Sequence, residues 1–413
     1  MKLLFLFGIA YSLFDGIISD EPEDLSFTGK YAPRKDLDPV ILIPGLGGSR
    51  VEYTLKNESK WKPLWLDVSR ALPGKYEEWI RQLTPVYDVN SDTYTSQPDL
   101  STRPIDYGGV EGVRYLDSLA KNISGYYNVI LTAMEQTGYK IGKNVFGAPF
   151  DWRLANAKQI MTNGMCEKLK ALVEKAASLN PGKKVHLVGH SMGCTFIQQF
   201  LRNYVPEGWR KRYVASFISI SGPYGGSFEA YAHLASLHKW GSIPIPSKFI
   251  HKISQTLGGI FWMLPNFNAY SSDTVLARIP KANMVITMGN MTQTWISSNR
   301  SEVLAGVRST MNHVNQIDPP QVPTYILYSN GQKTLREIQI DGPADSWWQT
   351  ESKTTLVGDG DGTVPIESLM APLRWKNQQA EPVTSVLVEN VGHFKILKEE
   401  KTVNTILDVI SRD

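Results

Sequence analysis

Val185-His-Leu-Val188 runs straight into Gly189-His190-Ser191-Met192-Gly193, and residues 194–204 continue with helical spacing. A short apolar strand, a G-x-S-x-G pentapeptide and a helix in that order describe a sharp strand-to-helix turn. Glycines let the backbone crowd around the serine, and the helix N-terminus favours negative charge developing beside it. Working outward, Pro39-Val-Ile-Leu-Ile-Pro44 is a continuous apolar run that ends in Gly45-Leu46-Gly47-Gly48. Such a run suits a strand buried on both faces, as in a parallel sheet. Val145-Phe146-Gly147 and residues 216–220, 324–328 and 385–388 read as further strands. Between them, Met161, Met165, Leu169, Leu172, Val173 and Ala176 repeat at helical spacing until Asn180-Pro181-Gly182 stops the helix, and residues 402–410 read as a closing helix. Strands alternating with helices predict an α/β fold with a mostly parallel sheet. Residues 52–105, rich in tryptophan, proline and charge, and residues 227–320, which carry helical patterns but no good buried strand, break the rhythm. They read as insertions from the sheet, an early lid and a later cap.

The chain has 413 residues, 42% of them hydrophobic and 20% charged, which excludes global disorder and gives ample material for a large core. A net charge of +3 is too balanced for nucleic acid as the main partner. Two cysteines exclude a disulfide scaffold and a cysteine-rich metal site, and no His/Asp/Glu cluster demands a metal or other cofactor. The 11 tryptophans and 18 tyrosines suit apolar or interfacial ligands as well as a large core.

A serine needs a base to act as a nucleophile, and in this kind of fold the chain order is serine, acid, histidine. His186 and His190 precede Ser191, while His233, His238, His251 and His313 fall in the cap, where they read as surface residues. His393 follows the late strand 385–388 in the loop Asn390-Val-Gly-His393. Loops at the carboxyl ends of strands line the ligand crevice of an open α/β sheet, so His393 is the expected base. The acid comes from Gly358-Asp359-Gly360-Asp361-Gly362-Thr363-Val364-Pro365. Asp361 is preferred over Asp359 because Gly-Thr-Val-Pro after it re-enters ordered structure. The oxyanion is expected on the backbone N–H groups of Met192, next after the nucleophile, and Leu46, with Gly47 as the neighbouring alternative.

Met1-Lys2 and the apolar run of residues 3–14 precede an acidic stretch. The run is shorter than the roughly 20 residues that span a bilayer, and residues 1–19 read as a cleaved secretory signal before a hydrolase domain over 20–413. Asn57, Asn122, Asn290 and Asn299 each open an Asn-X-Ser/Thr sequon, consistent with a glycoprotein of the secretory pathway.

Pro44-Gly-Leu-Gly-Gly, Ala148-Pro-Phe-Asp-Trp-Arg153, Gly189-His-Ser-Met-Gly193, Ser221-Gly-Pro-Tyr-Gly-Gly-Ser227 and Gly358-Asp-Gly-Asp-Gly-Thr-Val364 occur in that order. Over residues 38–411 the chain resembles the lecithin:cholesterol acyltransferase-like proteins, and in organisation it is most similar to their lysosomal phospholipase A2 branch. The resemblance implies an α/β-hydrolase with a cap and a membrane-binding lid, acting on glycerophospholipid esters at a phospholipid membrane or lipoprotein surface. It puts the triad on Ser191, Asp361 and His393 and the lid on residues 61–81. The expected activity is that of a phospholipase A working through an acyl-serine. Water, or a lipid alcohol acting as acyl acceptor, takes the acyl group, in a lysosomal or vacuolar lumen or outside the cell. Transfer to a sterol or diacylglycerol is the alternative within the family, a small-substrate carboxylesterase a further one, and a non-catalytic lipid-binding protein the alternative from another class. The resemblance also implies two disulfides, one holding the lid and one near the acid. Residues 52–105 contain no cysteine, and none follows Cys194, so neither bridge can form. Cys166 and Cys194 read as free core thiols rather than as partners.

In residues 61–81, Trp61, Trp65, Leu66 and Trp79 suit an interfacial face, since indoles combine an apolar ring with a polar tip. A tryptophan-rich loop packed on the core is the other reading.

Overall fold

The computed structural model describes residues 33, 37–70, 76–118, 121, 124–239, 246–315 and 317–411. The expected signal peptide and the sequon asparagine Asn122 lie outside them. Among the described residues, the central sheet has six strands: β1 (Val40–Ile43), β2 (Val145–Gly147), β3 (Val185–His190), β4 (Val214–Ile220), β5 (Thr324–Ser329) and β6 (Val383–Val388). Their order is β6-β5-β4-β3-β1-β2, and every neighbouring pair is parallel. All residues of β1 and β3 are buried. Successive strand side chains point to opposite faces, so both faces of the sheet are covered there. That explains why β1 reads as an unbroken apolar run rather than an alternating one.

The helix Met165–Leu179 buries Cys166, Leu169, Leu172, Val173 and Ala176 on one stripe. Asn180 closes it by donating from its side-chain amide to the carbonyls of Ala176 and Lys143, both at 2.8 Å. The last helix, Glu400–Ile410, buries Val403, Ile406, Leu407 and Ile410 in the same manner. These stripes are the physical content of the spacing seen in the sequence.

The two interruptions build separate layers. In the first, strands Val51–Leu55, Lys62–Trp65 and Leu100–Pro104 form an antiparallel sheet, accompanied by the helix Tyr76–Leu83 and the hairpin Val86–Asp88 with Thr93–Thr95. In the second, helices Phe228–Ala235, Ser247–Ser254, Gly258–Trp262, Gln293–Ser297 and Ser301–Val314 surround two strands, Val275–Ile279 and Met284–Thr287. Those strands correct the expectation that residues 227–320 contain none. They pair with each other, and Val275–Ile279 pairs in parallel with Thr334–Gln339, which in turn pairs with Lys353–Gly358, making a second, four-stranded sheet. Segments this short depend on their hairpin and on the distant partner Thr334–Gln339 together, so local pattern alone does not reveal them.

Asp151 and Arg153 explain why Ala148-Pro-Phe-Asp-Trp-Arg153 stands where it does. Arg153 is fully buried, and its guanidinium grips both oxygens of Asp151, at 2.9 and 2.6 Å. It also donates to the Gln82 carbonyl at 3.1 Å and the Ser96 hydroxyl at 3.3 Å, while Thr102 donates to Asp151 at 3.0 Å. One buried ion pair, well supplied with further hydrogen bonds, thus fastens three points of the first interruption to the segment after β2.

Trp65, Leu66 and Trp79 are interior residues, contrary to the interfacial face expected of them. Trp79 donates its indole N–H to the Leu64 carbonyl and Trp65 to the Gly47 carbonyl, each at 2.7 Å. Their rings stack at 6.0 Å with 13° between planes, and Trp152 packs edge-on against Trp65 at 5.3 Å. An indole suits a lipid interface and a buried pocket with one acceptor equally well; here the acceptors are inside. Trp61 alone of the four reaches the surface, half-buried beneath the Arg103 guanidinium at 4.0 Å from the ring centre.

Candidate active site

Ser191 follows the last residue of β3 and caps the helix Met192–Gln199. Its backbone has φ 55° and ψ −130°, a strained conformation for a residue with a Cβ. The surroundings hold it there: its N–H donates to the Ile220 carbonyl and its own carbonyl accepts from Cys194, both at 2.9 Å. Gly193 has to be glycine, because a Cβ there would collide with the carbonyls of Ile43 and Pro44. The strain turns the Ser191 hydroxyl to the carboxyl edge of the sheet.

Three separate loops deliver the partners. The loop after β6 carries His393, whose Nε2 lies 2.9 Å from Ser191 Oγ. Its Nδ1 lies 2.7 Å from Asp361 Oδ2, and its backbone N–H donates to the Asp361 carbonyl at 2.8 Å. Asp361 Oδ1 accepts the backbone N–H groups of Thr363 at 3.1 Å and Val364 at 2.7 Å. With the carboxylate as acceptor throughout, His393 Nδ1 carries the proton and Nε2 is left to accept from the serine. All three residues are buried. Asp359, the competing carboxylate, is exposed and accepts from the backbone of Gly331 at 2.6 Å and Gly360 at 2.8 Å, so it shapes the turn from outside. Ser227, at the end of Ser221-Gly-Pro-Tyr-Gly-Gly-Ser227, braces the acid turn by donating to the Thr363 carbonyl at 2.6 Å.

Leu46 lies in the loop after β1, and Met192 is the first residue of the helix that Ser191 caps. The first N–H groups of a helix have no intrahelical acceptor, so that of Met192 is available. A Cβ on Gly45 would stand 2.6 Å from Ser191 Cβ, so the Leu46 loop rests directly against the serine.

His233, His238 and His251 are buried, correcting their reading as surface residues; His313 is exposed at the helix end. His251 is pushed down to about 4 by burial and by the Arg300 guanidinium beside it. Cys166 and Cys194 are free and buried. Among the described residues no group of three or more His, Cys, Asp or Glu is placed to share a metal ion, and no helix is long and apolar enough to cross a membrane. Tyr126 and His190 complete the floor beneath Ser191 and His393. No motif marks Tyr126, and His190 is set aside in the sequence only because it precedes Ser191.

The parallel sheet with its serine turn at the carboxyl edge defines an α/β-hydrolase fold. The Tle4 and Tli4 complex crystal structure superposes with a TM-score of 0.53 at 12% identity, covering 92% of this chain and 99% of that one. The family model for lecithin:cholesterol acyltransferase matches residues 61–313, and the chain belongs to that family of enzymes. It is 29% identical over 380 residues to the phosphatidylcholine-sterol acyltransferase of Mus musculus, covering 89% of this chain and 84% of the relative. The lecithin-cholesterol acyltransferase-like 1 protein of Arabidopsis thaliana is 27% identical, over 90% of this chain and 89% of the relative. The lysosomal phospholipase A and acyltransferase of Rattus norvegicus is 26% identical with the same coverage.

Proposed function

We propose that the protein is a serine-dependent phospholipid acyl hydrolase of phospholipase A type that also passes the acyl group to a lipid alcohol. The observation that carries this is the unbroken chain from Ser191 Oγ through His393 to Asp361, at 2.9 and 2.7 Å. His393 takes the serine proton as Ser191 attacks an ester carbonyl, and Asp361 steadies the imidazolium that forms. The N–H groups of Leu46 and Met192 hold the oxyanion. The lysophospholipid leaves, and the acyl-Ser191 is resolved by water or by a lipid alcohol that His393 deprotonates. The relative named for phospholipase A and acyltransferase activity supports both outcomes. Phospholipid-to-sterol transfer is the second reading, favoured by the 29% identity to a phosphatidylcholine-sterol acyltransferase. It differs only in the acceptor.

In this account residues 52–105 and 227–320 act as lid and cap over the crevice of a hydrolase domain, and Trp61 is the part of the lid that meets lipid. The enzyme works at a membrane or lipoprotein surface in the lumen of the secretory pathway, lysosomal or extracellular. Asn57, Asn290 and Asn299 are exposed, which supports their carrying glycans. The test is to incubate the protein with vesicles of a mixed-acyl phosphatidylcholine, with and without a sterol or ceramide, and to identify products by mass. Lysophospholipid and fatty acid are expected, with acylated alcohol when the acceptor is present. Turnover of a soluble ester without any lysophospholipid would overturn the lipid assignment.

A further inference from the structure

Beneath the serine, a line of hydrogen bonds joins parts of the site that no strand connects. The Gly45 N–H, in the loop that carries Leu46, donates to Tyr126 Oη at 2.9 Å. Tyr126 Oη lies 2.5 Å from His190 Nδ1, and His190 Nε2 lies 2.9 Å from the main-chain carbonyl of His393. The direction of each bond is determined. A carbonyl only accepts, so His190 Nε2 carries the proton; Nδ1 is then bare, and the Tyr126 hydroxyl must donate to it. Both side chains are buried, at 2% and 0% exposure. Burial pushes the His190 pKa well below its usual value, with the His393 ring adding to the effect, and burial pushes that of Tyr126 up. Neither group therefore changes protonation over the neutral range, and the bond directions stay fixed. The Phe394 ring packs on both, at 6.3 Å from Tyr126 and 5.8 Å from His190.

We propose that Tyr126 and His190 are positioning residues, a buried relay that holds the oxyanion loop and the His393 loop in register on either side of Ser191. The inference rests on the proposed acyl-serine mechanism. The oxyanion loop and the base must both be placed relative to one serine, and they come from chain segments about 350 residues apart in a 413-residue chain. Neither Tyr126 nor His190 touches substrate in this role. Their effect falls on the rate of the chemical step, since they align groups used in the transition state.

Tyr126→Phe keeps the ring and removes the bridging oxygen, leaving the Gly45 N–H and His190 Nδ1 without partners. His190→Gln keeps a donor for the His393 carbonyl but moves its acceptor, the amide oxygen, away from the Nδ1 position that Tyr126 meets, while His190→Leu loses both. Each variant is assayed on a soluble p-nitrophenyl ester, with competent sites counted by stoichiometric fluorophosphonate labelling so that rates are per competent enzyme. We expect kcat per site to fall about ten- to a hundredfold for Tyr126→Phe and His190→Leu, with KM within about twofold, and His190→Gln to recover part of the loss. A wild-type kcat per site in Tyr126→Phe or in His190→Leu, or a loss confined to KM or to the number of competent sites, overturns the relay. Ser191→Ala is run alongside. If it keeps turnover, the acyl-serine mechanism itself fails; if it is inactive while Tyr126→Phe is normal, only the relay fails.

Discussion

Trp79→Ala separates an interior tryptophan cluster from a lipid-facing one. Trp79 is 1% exposed, stacked on Trp65 and hydrogen-bonded to the Leu64 carbonyl at 2.7 Å. Truncating a buried tryptophan to alanine costs about 3–5 kcal/mol, from lost burial, the cavity left behind and the abandoned acceptor. At about 2.1 cal/mol/K per residue, a chain of 413 residues unfolds with an entropy near 0.9 kcal/mol/K. A loss of about 4 kcal/mol therefore lowers Tm by about 5 °C. Trp61→Ala forfeits only a surface stack with Arg103, worth about 0.5–1 kcal/mol, or about 1 °C. Calorimetry on both variants, with hydrolysis of a p-nitrophenyl ester and of phosphatidylcholine vesicles, reads the difference. Trp79→Ala should melt early and lose both activities together near its transition. Trp61→Ala should melt like wild type and lose vesicle turnover alone. A Trp79→Ala protein with an unchanged Tm and a selective loss on vesicles would refute the interior placement.

The two aspartates should separate sharply. Asp361→Asn costs about four orders of magnitude in kcat because the His393 tautomer is lost, whereas Asp359→Asn, on the outside of the turn, costs less than about tenfold; steady-state kinetics on the soluble ester decides, and the reverse ranking would reassign the acid. The thiols should be inert: burial pushes Cys166 and Cys194 up to about 12, so iodoacetamide at pH 8 leaves the native protein unmodified by intact mass, and mild reductant leaves Tm unchanged; alkylation or a drop of several degrees would contradict free, buried thiols.

What the sequence discloses follows from how local the cause is. Ser191 is legible because its turn needs glycines at 189 and 193 and a strand and helix on either side, all within about 20 residues. His393 and Asp361 are legible because a strand-end loop and a glycine-rich turn both leave local marks. The strands Val275–Ile279 and Met284–Thr287 leave little, since they are only five and four residues long and their hairpin is tied into a sheet through the parallel pairing of Val275–Ile279 with Thr334–Gln339. The indoles of Trp65 and Trp79 mislead because composition does not say whether the acceptor for an N–H is water, a head group or the Gly47 and Leu64 carbonyls. Tyr126 is invisible for the same reason: its partners, Gly45 and His190, are 81 and 64 residues away.

The most direct test of the account is to trap the covalent intermediate. The protein is mixed with a mixed-acyl phosphatidylcholine, quenched in acid within the first turnover, digested and read by peptide mass spectrometry. The account predicts one fatty-acyl mass increment on the peptide bearing Ser191, absent from Ser191→Ala, which releases no lysophospholipid. An acyl group on another residue, or phospholipid cleavage that persists in Ser191→Ala, would contradict it.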